Sequence, residues 1–207
     1  MSALAAVLLL TSPAEGAIAT EYAFARAAQI DGQWTAFRAF ADEDGILFTP
    51  QPSNVHEALE GLADPVAATH WWPARSFVSC DGSVAVNTGP WVRAHQDRFG
   101  YFVTVWQRQQ DDSWRWLLDD GRDLDDPMAA GEGPEVRRAD CSRLAPPPPA
   151  IVFPPPPAQH GHGRSTDGTL YWHWHTTEDG GRRLEVNLFD GQRFEEVLVH
   201  EVEAPLQ

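Results

Sequence analysis

The order of elements between Glu21 and Gly121 constrains this chain more than any other feature. Two helix-like runs come first. A meander of aromatic-rich strands follows and ends in Trp114-Arg115-Trp116-Leu117-Leu118-Asp119-Asp120-Gly121. Thr20 is placed to cap a helix carrying Tyr22, Phe24, Ala27 and Ala28, which Asp31-Gly32 ends. Asp31 can cap a second helix, in which Trp34, Phe37, Phe40 and Ala41 form an apolar stripe. Ile46-Leu47-Phe48 reads as a short strand, and Asp64-Pro65 opens a short helix through Ala68. Helices before a late antiparallel meander give an α+β fold: a curved sheet wrapped on helices, with a pocket between them.

The strands are legible in some detail. Arg75 to Cys80 and Ser83 to Thr88 flank Asp81-Gly82, a strong signal for a two-residue hairpin. Pairing across it sets Phe77 opposite Val86 and Ser76 opposite Asn87. One face then holds Phe77, Val84 and Val86, and the other Val78, Cys80, Ala85 and Asn87. Gly100 to Gln109 and Trp114 to Asp120 form a second hairpin, with Phe102, Thr104 and Trp106 on one face and Tyr101, Val103 and Val105 on the other. Both faces are apolar, so both are expected to be covered.

The start of this region, Phe24-Ala25-x-Ala27-Ala28 with Asp31-Gly32 and Phe48-Thr49-Pro50, resembles the NTF2-like superfamily in its SnoaL-like or DUF4440-type branch. Gly100-Tyr101-Phe102-x-x-Val105-Trp106 and Trp114-Arg115-Trp116 are similar to its closing hairpin. The resemblance spans residues 20–123 and implies an α+β cone with a pocket at its open end. It also implies frequent dimerisation through the sheet's outer face, which makes a homodimer one expected assembly. Its motifs describe packing, and fold alone does not decide function.

Composition narrows the chemistry. All 15 basic residues are arginine, against 30 acidic residues, for a formal charge of −15. Without lysine, Schiff-base, pyridoxal-phosphate and Walker-A chemistries are excluded. The acidity argues against a nucleic-acid partner. Ala3 to Leu10 is a short apolar run and Ala17-Ile18-Ala19 offers small residues for a cut after Ala19, so residues 1–19 read as an export signal, although no Lys or Arg precedes the run. The run is too short to span a membrane. Cys80 and Cys141 lack metal-like spacing and, in an oxidising periplasmic or secreted setting, are expected to pair. Such a bridge supplies roughly 3–4 kcal/mol.

Past Gly121 the composition changes. Residues 124–159 form an acidic loop and a proline-rich spacer, in which Pro146 to Pro149 and Pro154 to Pro157 bracket Ile151-Val152-Phe153, a segment able to dock on the sheet. Residues 160–207 read as a three-stranded β extension: Thr169 to Thr176, Arg183 to Phe189 and Phe194 to Val202. Three such strands cannot stand alone and must pack on the first domain or on a partner chain.

Candidate sites follow from these placements. Asp119 and Asp120 end the last strand of the cone near the pocket mouth, where a carboxylate among tryptophans has a raised pKa and can act as a base. The resemblance adds that ketosteroid isomerases and polyketide cyclases use such a carboxylate, the isomerases together with a tyrosine and a protonated acid. Tyr101 is the only plausible tyrosine, and no residue matches the acid. His70, beside Trp71-Trp72 and Arg75, is a second proton carrier. Trp71, Trp72, Trp91, Tyr101, Trp106 and Trp116 are the expected pocket lining. His160, His162, His173 and His175 could suggest a metal, but no carboxylate or cysteine completes a recognised pattern, so neither metal nor cofactor is expected. Three readings remain: a pocket that binds a small apolar or aromatic molecule without turnover, a cofactor-free isomerase, cyclase or dehydratase, and a non-catalytic interaction or dimerisation module. Binding requires a cavity of roughly 300 Å³ or more rather than a tryptophan-plugged interior.

Overall fold

The computed structural model describes residues 12–129, 131–177 and 179–204. The apolar run behind the expected export signal therefore lies outside the described residues. Helix α1 (Pro13–Ile30) starts two turns earlier than Thr20. Ser12 and Glu15 cap it reciprocally: the Glu15 N–H donates to Ser12 Oγ at 3.3 Å and the Ser12 N–H to Glu15 Oε2 at 2.7 Å. Its buried face, Ala14, Ala17, Glu21, Phe24 and Ala28, keeps helical spacing through Ala19, so the expected cut falls inside the helix.

Helix α2 (Gln33–Phe40) is capped from a distance rather than by Asp31. Asp64 accepts hydrogen bonds from the Trp34 N–H (2.5 Å), the Thr35 N–H (3.0 Å) and the Thr35 hydroxyl (2.7 Å). Gly32, at φ +111°, makes room for it: a Cβ there would lie 2.3 Å from the Asp64 carboxyl. Committed to α2, Asp64 opens no helix of its own. Residues 62–69 are irregular, and α3 is a single turn, Val55–Ala58, capped by Asn54.

The first sheet is mixed. Its strands are β1 (Ala41–Phe48), β2 (Pro52–Asn54), β3 (His70–Trp71), β4 (Arg75–Val78), β5 (Val84–Arg93), β6 (Arg98–Arg108), β7 (Trp114–Asp123) and β8 (Glu135–Arg138). The order is β2-β1-β7-β6-β5-β4-β8, with β3 also paired to β5. β1 runs parallel to β7 and β8 parallel to β4; the other pairs are antiparallel. Phe77 pairs with Val86 and Ser76 with Asn87, as the Asp81-Gly82 turn predicts. β5 continues past Gly89-Pro90 to Arg93, because the Pro90 carbonyl still accepts from the Trp72 N–H at 3.3 Å.

Both faces of this sheet are covered. Helices lie on one, where Phe24, Phe37, Trp71, Trp106 and Trp116 form the first core. On the other packs a second, antiparallel sheet of four strands, β12-β11-β10-β9: β9 (His160–Arg164), β10 (Leu170–Thr176), β11 (Arg182–Phe189) and β12 (Phe194–Val202). Phe77, Val84, Val86, Val103, Val105 and Leu118 meet Leu170, Trp172, Trp174, Val186 and Leu188 there. The C-terminal extension thus packs within its own chain. It covers the outer face through which the family resemblance implies dimerisation.

Within the second sheet, β9 is the strand absent from the sequence reading; in the first sheet β8 likewise falls in the stretch 124–159 read as loop and spacer. Gly161 and Gly163 look like loop residues, but they pair with Trp174 and Trp172. A Cβ on either glycine would come within 2.6 Å of the facing indole. Between the prolines, Phe153 stacks on His160 with ring centroids 4.0 Å apart, whereas Val152 is exposed. Ile151, like Phe153, is half-buried, so Val152 is the one of the three that faces solvent. Cys80 and Cys141 form a disulfide with Cα atoms 5.3 Å apart, fixing the segment after β8 beside the end of β4.

Candidate functional site

An open cleft of about 670 Å³ runs from the inner face of the first sheet, beside α2, past the ends of β6 and β7 to Arg182, Val202 and Glu203 of the second sheet. Trp106 and Trp116 are fully buried in the first core and do not line it. Trp34 and Phe37 from α2, Trp71 from β3, Trp91 from β5 and Phe102 from β6 make the apolar wall, and Thr69, Arg93 and Asp119 add polar groups. Trp91 reaches its place because two neighbouring strands carry glycine beneath it. A Cβ on Gly100 would sit 2.5 Å from the Trp91 ring, and one on Gly121 3.3 Å from its Nε1.

Of the two candidate aspartates, the structure brings only Asp119 to the inner face. β7 carries a register shift opposite Val105 and Trp106, so that Trp116 pairs with Trp106 but Leu118 pairs with Val105. Strict alternation from Trp116 would send Asp120 inward. The irregularity reverses the parity, and Asp119 shares the inner face with Thr104 and Trp116. The Thr104 hydroxyl donates to Asp119 Oδ2 at 2.7 Å. Burial pushes the Asp119 carboxyl well above the ordinary carboxylate range; the Thr104 bond opposes this and the nearby Glu21 and Asp120 reinforce it. A buried carboxyl raised in this way holds its proton more readily than a surface aspartate and, at the cavity wall, can exchange a hydrogen bond or a proton with a ligand.

Asp120 has a different task. It faces the second sheet, where Arg182 Nε and Nη2 donate to it at 2.6 and 2.5 Å and His200 Nε2 lies 3.0 Å away. Burial raises its carboxyl, but the hydrogen bonds and charge of His200 and Arg182 outweigh that and hold it below the usual value. It ties the two sheets together.

The other sequence candidates divide between wall, core and opposite face. Trp71 and Trp91 line the cavity; Trp106 and Trp116 are core beneath it. Trp72 is half-buried and off the lining. Tyr101 projects from the other side of the sheet, edge-on to His200 at 5.0 Å. It therefore cannot partner Asp119. His70 is exposed on its two-residue strand and does not reach the cavity.

Sequence reasoning missed Glu21. It is fully buried within α1 and receives three hydrogen bonds: Trp71 Nε1–H to Oε1 at 2.9 Å, Trp106 Nε1–H to Oε2 at 2.6 Å and Asn87 Nδ2–H to Oε2 at 3.2 Å. Burial, against those three bonds, brings its pKa up to about 7. Glu21 thereby fixes the cavity-wall indole of Trp71. The available signal was a glutamate on the helix face that also carries Ala17, Phe24 and Ala28. Among the described residues no cluster of three or more His, Cys, Asp or Glu is placed to hold a metal ion. The four histidines of β9 and β10 instead form a ladder, His162 beside His173 and His160 beside His175.

No protein-family model matches the chain, and a search of curated proteins finds no significant relative. The chemistry of the cavity is therefore read from its own geometry.

Proposed function

We propose that this chain is an exported NTF2-like protein that binds a small apolar or aromatic molecule in its cavity without turning it over. The carrying observation is a cleft of about 670 Å³ with an aromatic wall of Trp34, Phe37, Trp71, Trp91 and Phe102 along one side and the buried carboxyl of Asp119, raised in pKa by burial, set into that side. Helices packed on one face of a mixed sheet, with a cleft at that face, support the NTF2-like reading. The disulfide supports passage through an oxidising compartment, and no helix among the described residues is long and apolar enough to cross a membrane. Native mass spectrometry of the full chain recovered from a bacterial periplasm tests the reading. A retained small molecule is expected, lost on Trp71→Ala. An empty chain that also fails to take up hydrophobic fluorescent probes would sink it.

A second reading has one observation in its favour: Asp119 is a buried acid at the cavity wall. In a cofactor-free isomerase, cyclase or dehydratase it would carry the proton alone, since Asp120 is paired and His70 is remote. Asp119→Asn separates the two, abolishing turnover if the chain is an enzyme and leaving ligand retention intact if it only binds.

A further inference from the structure

Among the described residues two arginines of the lining, Arg93 and Arg122, have no carboxylate within ion-pair distance, and of these Arg93 stands at the aromatic wall. Arg93 shares the inner face of β5 with Trp91, and its guanidinium lies over that indole, 5.0 Å from the ring centroid. Nε donates to Thr69 Oγ1 at 2.9 Å. Among the described residues neither Nη group has a hydrogen-bond partner, and no carboxylate lies within ion-pair distance of Arg93. The other arginines of the lining are placed differently. Arg98 pairs with Asp123 and Arg182 with Asp120, while Arg122 lies over the ring of Tyr101 on the opposite face. Of the acids, Asp120 and Asp123 are those same partners, Asp119 is buried and accepts from the Thr104 hydroxyl, and Asp125 and Glu203 are exposed. The charges of Arg98 and Asp123 reach Arg93 only from beyond ion-pair distance, so a planar fork with both Nη groups unbonded stands beside an aromatic wall.

We propose that the cavity selects an aromatic or hydrocarbon carboxylate, with its ring against Trp71, Trp91 and Phe102 and its carboxylate received by the two Nη groups of Arg93. The inference rests on the binding reading above and names the ligand class for that cavity. A guanidinium matches a carboxylate in bidentate geometry, and the Thr69 bond and the Trp91 stack hold it ready. A chain of formal charge −15 repels anions at long range. Acceptance of an acid must therefore come from this local fork, and a neutral ligand of the same shape would have no use for it.

The test is calorimetric titration of the full chain, near neutral pH and at low salt, with matched acid and amide pairs of increasing ring size. These are 3-phenylpropanoate and 3-phenylpropanamide, indole-3-acetate and indole-3-acetamide, and 1-naphthoate and 1-naphthamide. In at least one pair the acid should bind about tenfold or more tighter than its amide, the scale of a charge-assisted bidentate contact. Arg93→Gln should bring that ratio to about one, and Arg93→Lys should retain part of it. Near-UV circular dichroism confirms that both variants keep the native fold. Acids and amides that bind alike in the wild type, or an acid preference that survives Arg93→Gln, would overturn the assignment of Arg93 and leave the pocket reading standing. Failure of all six compounds to bind would overturn both.

Discussion

Glu21 and Asp119 show how burial changes what a carboxyl does. Each sits in an apolar interior with few hydrogen bonds, and each is pushed upward in pKa. For Glu21 the ordinary value of 4.5 becomes about 7 in the fold. A folded-state pKa above the unfolded one means that the native state holds the proton more tightly. The associated stability is full below about pH 4.5, declines as pH rises through 7 and is then level, a change on the order of 3 kcal/mol. Urea denaturation across this range should show wild-type stability falling towards neutral pH. Glu21→Gln should lose much of that slope, and Asp119 should supply the remainder. An unchanged slope in the variant would mean that Glu21 titrates normally and that its indole contacts are not as described. None of this was legible in the residue itself, since a glutamate in a helix reads as surface until the helix face is known. Asp119 and Asp120 were both legible as candidates, but neighbouring aspartates on a strand differ only in parity.

Parity is set at the level of the element. One irregularity in β7 turns Asp119 inward and hands Asp120 to Arg182 and His200. The register of β4 and β5, by contrast, was predictable from Asp81-Gly82 because a two-residue turn permits one pairing. Element starts were less visible. The capping box at Ser12 begins α1 within what composition assigns to a leader, and residues 12–19 of the helix are structural. Ala14 and Ala17 are buried, the Ala17 carbonyl accepts from Asn87 at 3.2 Å, and Pro13 lies over Gly82. A chain beginning at Thr20 should therefore be about 2–4 kcal/mol less stable than one beginning at Ser12, from lost burial, cap and hydrogen bond. Comparing urea midpoints of the two chains checks this; equal midpoints would return the cut after Ala19 to favour. β9 went unseen for a related reason, because its glycines are explained by indoles supplied by the next strand.

Across the whole molecule, the second sheet is held to the first by more than apolar contact. At one end the two turns embrace: the Asp81 N–H donates to Asp167 Oδ2 at 2.8 Å and the Asp167 N–H to Asp81 Oδ2 at 2.9 Å. At the other, Asp120 bonds Arg182 and His200. Between the sheets, the Ala139 N–H donates to the Val78 carbonyl and the Asp140 N–H to the Phe189 carbonyl, close to the disulfide. Deleting residues 145–207 would expose Phe77, Val84, Val86, Val103, Val105 and Leu118 together. The truncated chain is expected to aggregate or to lose its native near-UV signal, measured by size exclusion and circular dichroism. A folded, monomeric truncation would show instead that the second sheet is a detachable interaction module.

The sequence by itself determined the α+β order of elements, the register of the β4–β5 hairpin, the two-sided burial of the central strands, the exclusion of lysine chemistry and the expectation that Cys80 and Cys141 pair. These are properties of local pattern or composition, which neighbouring residues carry. Only the tertiary structure decided which aspartate takes the inner face of the first sheet, that Tyr101 and His70 stand away from the cavity, that Glu21 anchors Trp71, that Arg93 has no ion-pair partner among the described residues, and that the second sheet covers the first. Each of these depends on what a distant segment places opposite a residue, and the pairing of remote surfaces leaves no periodic mark in the chain.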